Sequence, residues 1–170
     1  MPSACEDRAL MRLFSELCGS STFAYWSVMM ARNNNNNNND DDETETETSE
    51  AFETAVAEFT ERLVKANAFL EARASHDGPF LFGERFTLAE CNAAPFVQRA
   101  CNVLSAYTGE KHGCPSVDPM AICEARGLTR LQQWMAAVLA RPSVKSLELS
   151  SDEMNLSVTK MLQRFADATK

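Results

Sequence analysis

The stretch from Gly78 to Arg99, GPFLFGERFTLAECNAAPFVQR, constrains the fold of this chain more than any other. Thr87 stands directly before an apolar-periodic run, and Glu90 follows three residues later. At that spacing the Thr hydroxyl accepts from the backbone N–H of Glu90 and the Glu carboxylate reaches back to the N–H of Thr87. Two donors that a helix start otherwise leaves unpaired are thus satisfied together. Phe86 and Cys91 hold the two positions of a hydrophobic staple across the same start. The pattern predicts a helix from Leu88 to about Tyr107, bent by Pro95 in its interior.

Helical spacing recurs on both sides. Between Glu6 and Arg32, Leu10, Leu13, Phe14, Leu17, Ala24, Tyr25, Val28 and Met29 share a helical period. Gly19-Ser20-Ser21 interrupts that run where a kink is expected. Phe52, Val56, Phe59, Leu63, Ala66 and Leu70 form a second seam, which predicts an antiparallel helix pair. Asp118-Pro119 predicts a short helix with Asp as N-cap and Pro at the first position. Thr129 with Gln132, and Ser150 with Glu153, repeat the capping-box spacing before two further helices. One buries Leu131, Trp134, Met135 and Val138, and the last carries Met154, Val158, Met161, Leu162 and Phe165. Nothing alternates over the length a half-buried strand needs. The expectation is an all-α bundle of about five main helices in one domain, residues 1–170.

Residues 33–49 read NNNNNNNDDDETETETS and contain no apolar side chain. Such a segment cannot bury enough surface to offset its ordering entropy, so it is expected to be a disordered loop insertion between the first two helices. Lengthening a loop there costs only about 0.6 kcal/mol per doubling. The same region explains the formal charge of −8. Asp40, Asp41, Asp42, Glu43, Glu45, Glu47 and Glu50 hold seven of those charges, and the rest of the chain is nearly neutral. No basic stripe of the kind that nucleic acid requires is present, so no nucleic-acid partner is expected. The longest apolar run, Phe23 to Ala31, is far shorter than the ~20 residues of a membrane span. Six cysteines form no CxxC pair and no secretory leader opens the chain, which favours reduced thiols and a soluble, cytoplasmic protein without a membrane partner.

The Gly-Pro-Phe-Leu-x-Gly turn, the Thr-x-x-acid cap and the helix with an early Pro resemble the C-terminal helical domain of cytosolic glutathione transferases. The block LTRLQQWMAAVLARPSV, Leu128 to Val144, is similar to that family's Trp-bearing helix ending in Arg-Pro-Ser. The two blocks cover about a quarter of the chain. Where the family usually carries Asp, this chain has Glu90, one methylene longer. Gly83 and Arg141 match the family as folding residues, as do Thr87 and Glu90. The APFVQR segment also resembles the omega- and lambda-like classes.

No catalytic constellation is apparent in the residues themselves, and none is assigned. His76 and His112 are expected to be solvated loop histidines with no second ligand at metal spacing. Cys91 lies in a first helical turn, where a thiol pKa can fall; its staple position instead predicts burial against Phe86 as an inert hydrophobe. The resemblance implies why chemistry is missing. In that family a thioredoxin-like domain preceding the helices activates and holds glutathione, and no such domain is in this chain. Either the chain is a fragment lacking that half, or it is a stand-alone helical module.

What the resemblance implies for this half is a wall of the hydrophobic substrate pocket. It puts Trp26 and Met30, an i, i+4 pair, and Phe96, Arg99 and Val103 on pocket-facing positions. It puts Ser20 where several classes reach the partner subunit's glutathione. Each also has a plain folding role as core or bundle residue. The implied reaction is attack of a glutathione thiolate on a hydrophobic electrophile, its thiol pKa lowered by a hydrogen bond to sulfur. Glutathione would be co-substrate, no cofactor is implied in this chain, and the complete protein would be a homodimer. The other expectation is a non-catalytic protein-interaction module like those in translation and synthetase complexes.

Overall fold

A computed structural model of the chain describes residues 5–18, 25–37 and 42–168, with side chains of 33–49, 151, 155 and 165–168 outside that description. The order is α1 (Cys5–Leu17), α2 (Tyr25–Asn37), α3 (Asp42–Arg73), α4 (Leu88–Tyr107), a 3-10 turn (Glu110–His112), α5 (Pro119–Ala125), α6 (Thr129–Ala140), α7 (Pro142–Lys145) and α8 (Ser151–Ala168). Among the described residues there is no strand, only two isolated bridges in the turn before α4, Phe80 with Gly83 and Phe82 with Arg85. The all-α expectation holds.

The helix whose start the sequence marks out is the centre of the bundle. It spans Leu88–Tyr107, with Thr87 as N-cap and both halves of the capping box formed. Oε2 of Glu90 accepts from the Thr87 amide at 2.8 Å and from the Thr87 hydroxyl at 2.7 Å. One face of α4, through Ala89, Ala93, Val97, Ala100 and Leu104, is buried against the neighbouring helices. Small residues on that face let α1, α2, α5 and α6 all approach it.

The α3 seam is buried at Phe52, Phe59, Leu63, Ala66 and Leu70, with Val56 half-buried. Its most extensive partner is α2. The expected long first helix is two helices, α1 ending at Leu17 and α2 starting at Tyr25, and the Gly19-Ser20-Ser21 break lies outside the described residues. In α1, Met11 and Phe14 take the buried positions and Leu13 is exposed. The loop expected over 33–49 meets helices that enter it from both ends, α2 to Asn37 and α3 from Asp42. Helix propagation is cheaper than nucleation, so a packed helix can extend into a segment that would not start one.

Two caps form as the sequence predicts. Oδ1 of Asp118 accepts from the Met120 amide at 2.8 Å ahead of Pro119, and Ser150 and Glu153 exchange bonds at the start of α8. The Thr129 cap does not form. Leu128 is the N-cap of α6 and has no side-chain cap bond. The cause lies one turn earlier. Gly127, at φ +66, closes α5 with Leu128 N donating to Cys123 O at 2.8 Å and its own N donating to Glu124 O at 3.2 Å. That turn delivers the chain into α6 one residue early, leaving Thr129 inside the helix.

The first turn of α6 is instead capped from another helix. Oδ1 of Asn67, buried on α3, accepts from the amide of Leu131 at 2.9 Å. Asn67→Ala is expected to cost about 1–3 kcal/mol, because a buried N–H is left without a partner. The measurement is the urea midpoint at constant slope. A midpoint equal to the parent's would mean that this amide has no need of Asn67.

Candidate functional site

The turn between α3 and α4 is built around two side chains. Gly78 packs so closely on the returning backbone of the turn that an added Cβ would lie 2.5 Å from the Gly83 carbonyl carbon. Arg130 of α6 then binds the turn's carbonyls. Nη1 donates to Pro79 O at 2.8 Å and Nη2 to Phe80 O at 3.0 Å, with longer contacts to Gly78 O and Ser75 O. Burial lowers the Arg130 pKa from its ordinary value, and the charge of Glu90 acts against that fall. From the other side, Oε1 of Glu90 accepts from the Leu81 amide at 2.9 Å and the Trp134 indole N–H at 3.4 Å. The turn is clamped between α4 and α6, and it ends at Phe86.

Phe86 is one border of a cavity of about 660 Å3 between α4 and the segment 142–161. That volume is within the range of small-molecule sites. One wall is a stripe of α4, Cys91, Ala94, Pro95, Gln98, Arg99, Asn102 and Val103, at spacings of three and four that keep one helical face toward the cavity. The opposite wall is apolar. Val144, Leu147 and Leu149 come from α7 and the stretch after it, and Met154, Val158 and Met161 come from α8. Two hydrogen bonds join the walls: Gln98 Nε2 donates to Val144 O at 3.1 Å, and Asn102 Nδ2 to Glu148 Oε1 at 3.4 Å.

The residues expected on a pocket wall divide. Arg99 and Val103 line this cavity; Trp26, Met30 and Phe96 do not. Phe96 lies beyond the edge of the α4 stripe and is packed, like Trp26, half-buried against the core. From α2 the lining residue is Tyr25, beside Trp26 and a third of a turn away. Ser20 lies outside the described residues. Sequence reasoning placed Tyr25 on a core face and gave no role to the residues of 142–149, which follow the helix-stopping Pro142 and carry no period of their own.

Cys91 corrects the staple expectation. It is exposed and lines the cavity. Phe86 turns instead to Phe80, edge to face at 5.3 Å, and to the Arg141 guanidinium, 4.1 Å over its ring. Phe86 and Cys91 both border the cavity. The inner cysteines are different. Burial pushes the Cys101 thiol up to about 12 and Cys123 to about 11, and it raises Cys18 as well. Protonated, these three behave as apolar packing groups.

His112 is not solvated. Arg32 Nη2 donates to its Nδ1 at 3.1 Å, and Nε2 is 2.9 Å from Ala106 O, a contact that requires the proton on Nε2. Its ring stacks on Tyr107. Nε of Arg32 is buried with no hydrogen-bond partner among the described residues. His76 is exposed, as expected. Among the described residues no three His, Cys, Asp or Glu side chains converge as metal ligands, and no helix is long and apolar enough to cross a membrane.

Comparison with protein families places residues 53–137, half of the chain, within the family described as glutathione S-transferase, C-terminal domain. The match runs from α3 to near the end of α6, and so includes the α4 wall of the cavity, Arg130 and Trp134. No curated protein and no solved structure matches the chain.

Proposed function

This chain belongs to the glutathione S-transferase C-terminal-domain family, and on that basis we propose that it is the helical half of a glutathione transferase-like protein whose cavity receives a hydrophobic electrophile. The observation that carries this reading is the apolar cavity between α4 and α8 in a chain of that family. Glutathione would be activated by a thioredoxin-like half of the full protein, and the helical half would supply binding surface and substrate preference. Family membership also favours a homodimer as the working assembly and the cytoplasm as its compartment.

The test uses the natural full-length protein. It should be retained on immobilised glutathione and should conjugate a hydrophobic electrophile. Ser157 is exposed on α8 and lines the cavity, so Ser157→Trp fills the cavity without disturbing the core. This variant should raise KM for the electrophile about tenfold, the scale of losing contacts in a hydrophobic pocket. Retention on glutathione should be unchanged. A natural protein that neither binds glutathione nor turns over an electrophile would exclude the enzyme reading and favour a protein-interaction module, for which co-purifying partners become the relevant measurement.

A further inference from the structure

The end of α4, the 3-10 turn after it and Arg32 of α2 meet at one histidine. Arg32 is buried, and its guanidinium is paired with no carboxylate among the described residues. Nη2 donates to Nδ1 of His112 at 3.1 Å, while Nε has no partner among the described residues. A guanidinium only donates and keeps its charge, so Nδ1 has to accept with its lone pair. On the other side Nε2 of His112 lies 2.9 Å from Ala106 O, which only accepts, so the ring proton sits on Nε2. The two contacts fix one tautomer and leave no place for a second proton.

The groups facing the ring make that second proton costly. From α2 the facing group is the Arg32 cation. From α4 it is Tyr107, whose ring stacks on His112 with centroids 6.1 Å apart and planes at 18°. Burial raises the Tyr107 phenol pKa and the Arg32 charge draws it partly back, so the phenol is neutral at and below neutral pH. Glu110 and Lys111, on the turn itself, are exposed and opposite in sign, so they largely offset each other. A proton on Nδ1 would end the bond to Arg32 and set two cations against each other across that 3.1 Å contact.

We propose that His112 is a proton-sensitive latch: neutral, it ties α2 to the end of α4, and protonated, it releases the 3-10 turn and that seam. The latch is independent of what the cavity binds, and it reaches the cavity through α2. Tyr25, which lines the cavity, lies seven residues before Arg32, two turns back along the same face. The sign follows from proton uptake. An opened turn takes up the imidazole proton as the pH falls through the range of a free histidine, about 6.5, and the closed junction does not. The closed state is therefore fully favoured above that range and loses ground below it. Opening one turn costs less than unfolding the bundle, so the junction opens first.

Amide hydrogen exchange of the full chain at about pH 7.5 and about pH 5.5, corrected for intrinsic rates, reads the opening. The amides of His112 and Gly113 donate to Gly109 O and Glu110 O, and their protection should fall about tenfold over that interval, the response of one proton. The Leu131 amide, bonded to Asn67, should keep its protection. His112→Gln should remove the acid response. Arg32→Gln should remove it too, because the imidazolium then meets no cation. His76→Gln, at the exposed second histidine, should respond as the parent does. The latch is overturned by a parent without the response, by an undiminished response in His112→Gln or Arg32→Gln, or by its loss in His76→Gln. A fall at Leu131 in step with the turn overturns it as well, since the acid effect is then unfolding of the whole bundle.

Discussion

Replacing Glu90 with alanine is expected to lower the unfolding free energy by about 3–5 kcal/mol, the largest loss for any single polar side chain in this bundle. The carboxylate is fully buried. It accepts from the Thr87 amide and hydroxyl through one oxygen, and from the Leu81 amide and the Trp134 indole through the other. Each of these donors loses its bond to Glu90 in the alanine variant, and two of the four are main-chain N–H groups at the turn and the helix start. Arg130 also loses the nearby negative charge that supports its ionised form. The measurement is a urea denaturation curve, with the midpoint falling and the slope retained. Glu90→Asp preserves the charge and shortens the reach by one methylene, so its expected cost is smaller, about 1–2 kcal/mol. A Glu90→Ala midpoint close to the parent's would show that these donors are satisfied elsewhere.

The second large effect belongs to Trp134. Its side chain is fully buried, and its ring meets Phe14 edge to face at 5.1 Å, with the planes at 83°. Trp134→Ala opens a cavity where α6 faces α1 and α4, and the expected loss is about 3–5 kcal/mol. Trp134→Phe retains most of the packing and removes the indole donor, so it should cost less. The two sites share a hydrogen bond, which makes their effects non-additive. The double variant Glu90→Ala/Trp134→Ala should lose less than the two single losses combined, because the Glu90–Trp134 contact is counted in both. Strict additivity would show that the 3.4 Å contact contributes nothing to stability.

These two residues show how far a sequence reading reaches. Glu90 is legible as a capping residue, since its spacing from Thr87 is local and the geometry of any helix start makes the contact. That it also holds Leu81 and Trp134 is not legible, since Trp134 lies forty-four residues away. Thr129 and Asn67 make the same point in reverse. The Thr129–Gln132 spacing has the right form, yet the close of α5 at Gly127 shifts the start of α6, and Asn67 of α3 supplies the cap. A local motif proposes a cap, and the tertiary arrangement decides whether the donor is still open.

The candidate site follows the same division. The family resemblance implies a pocket wall at Trp26, Met30, Phe96, Arg99 and Val103, and the cavity includes Arg99 and Val103 of these. Tyr25, the exposed Cys91 thiol and the wall of 142–161 required the packed structure. The Phe86 ring that the staple spacing pairs with Cys91 meets Phe80 and Arg141, neither of which that spacing includes.

By itself the sequence determined the all-α class, the start of α4 to the residue, the short α5, the Trp-bearing α6 and the cap of α8. All of these follow from forces that act within a few residues, the 3.6-residue period and the pairing of a side chain with amides two or three positions on. Only the tertiary structure decided that Glu90 and Arg130 clamp one turn from two helices, and that Asn67 caps a helix far from it. It also decided that a cavity opens between α4 and α8 with Arg99 in its lining. Those outcomes join residues tens of positions apart, and whether such groups meet depends on how every intervening helix packs.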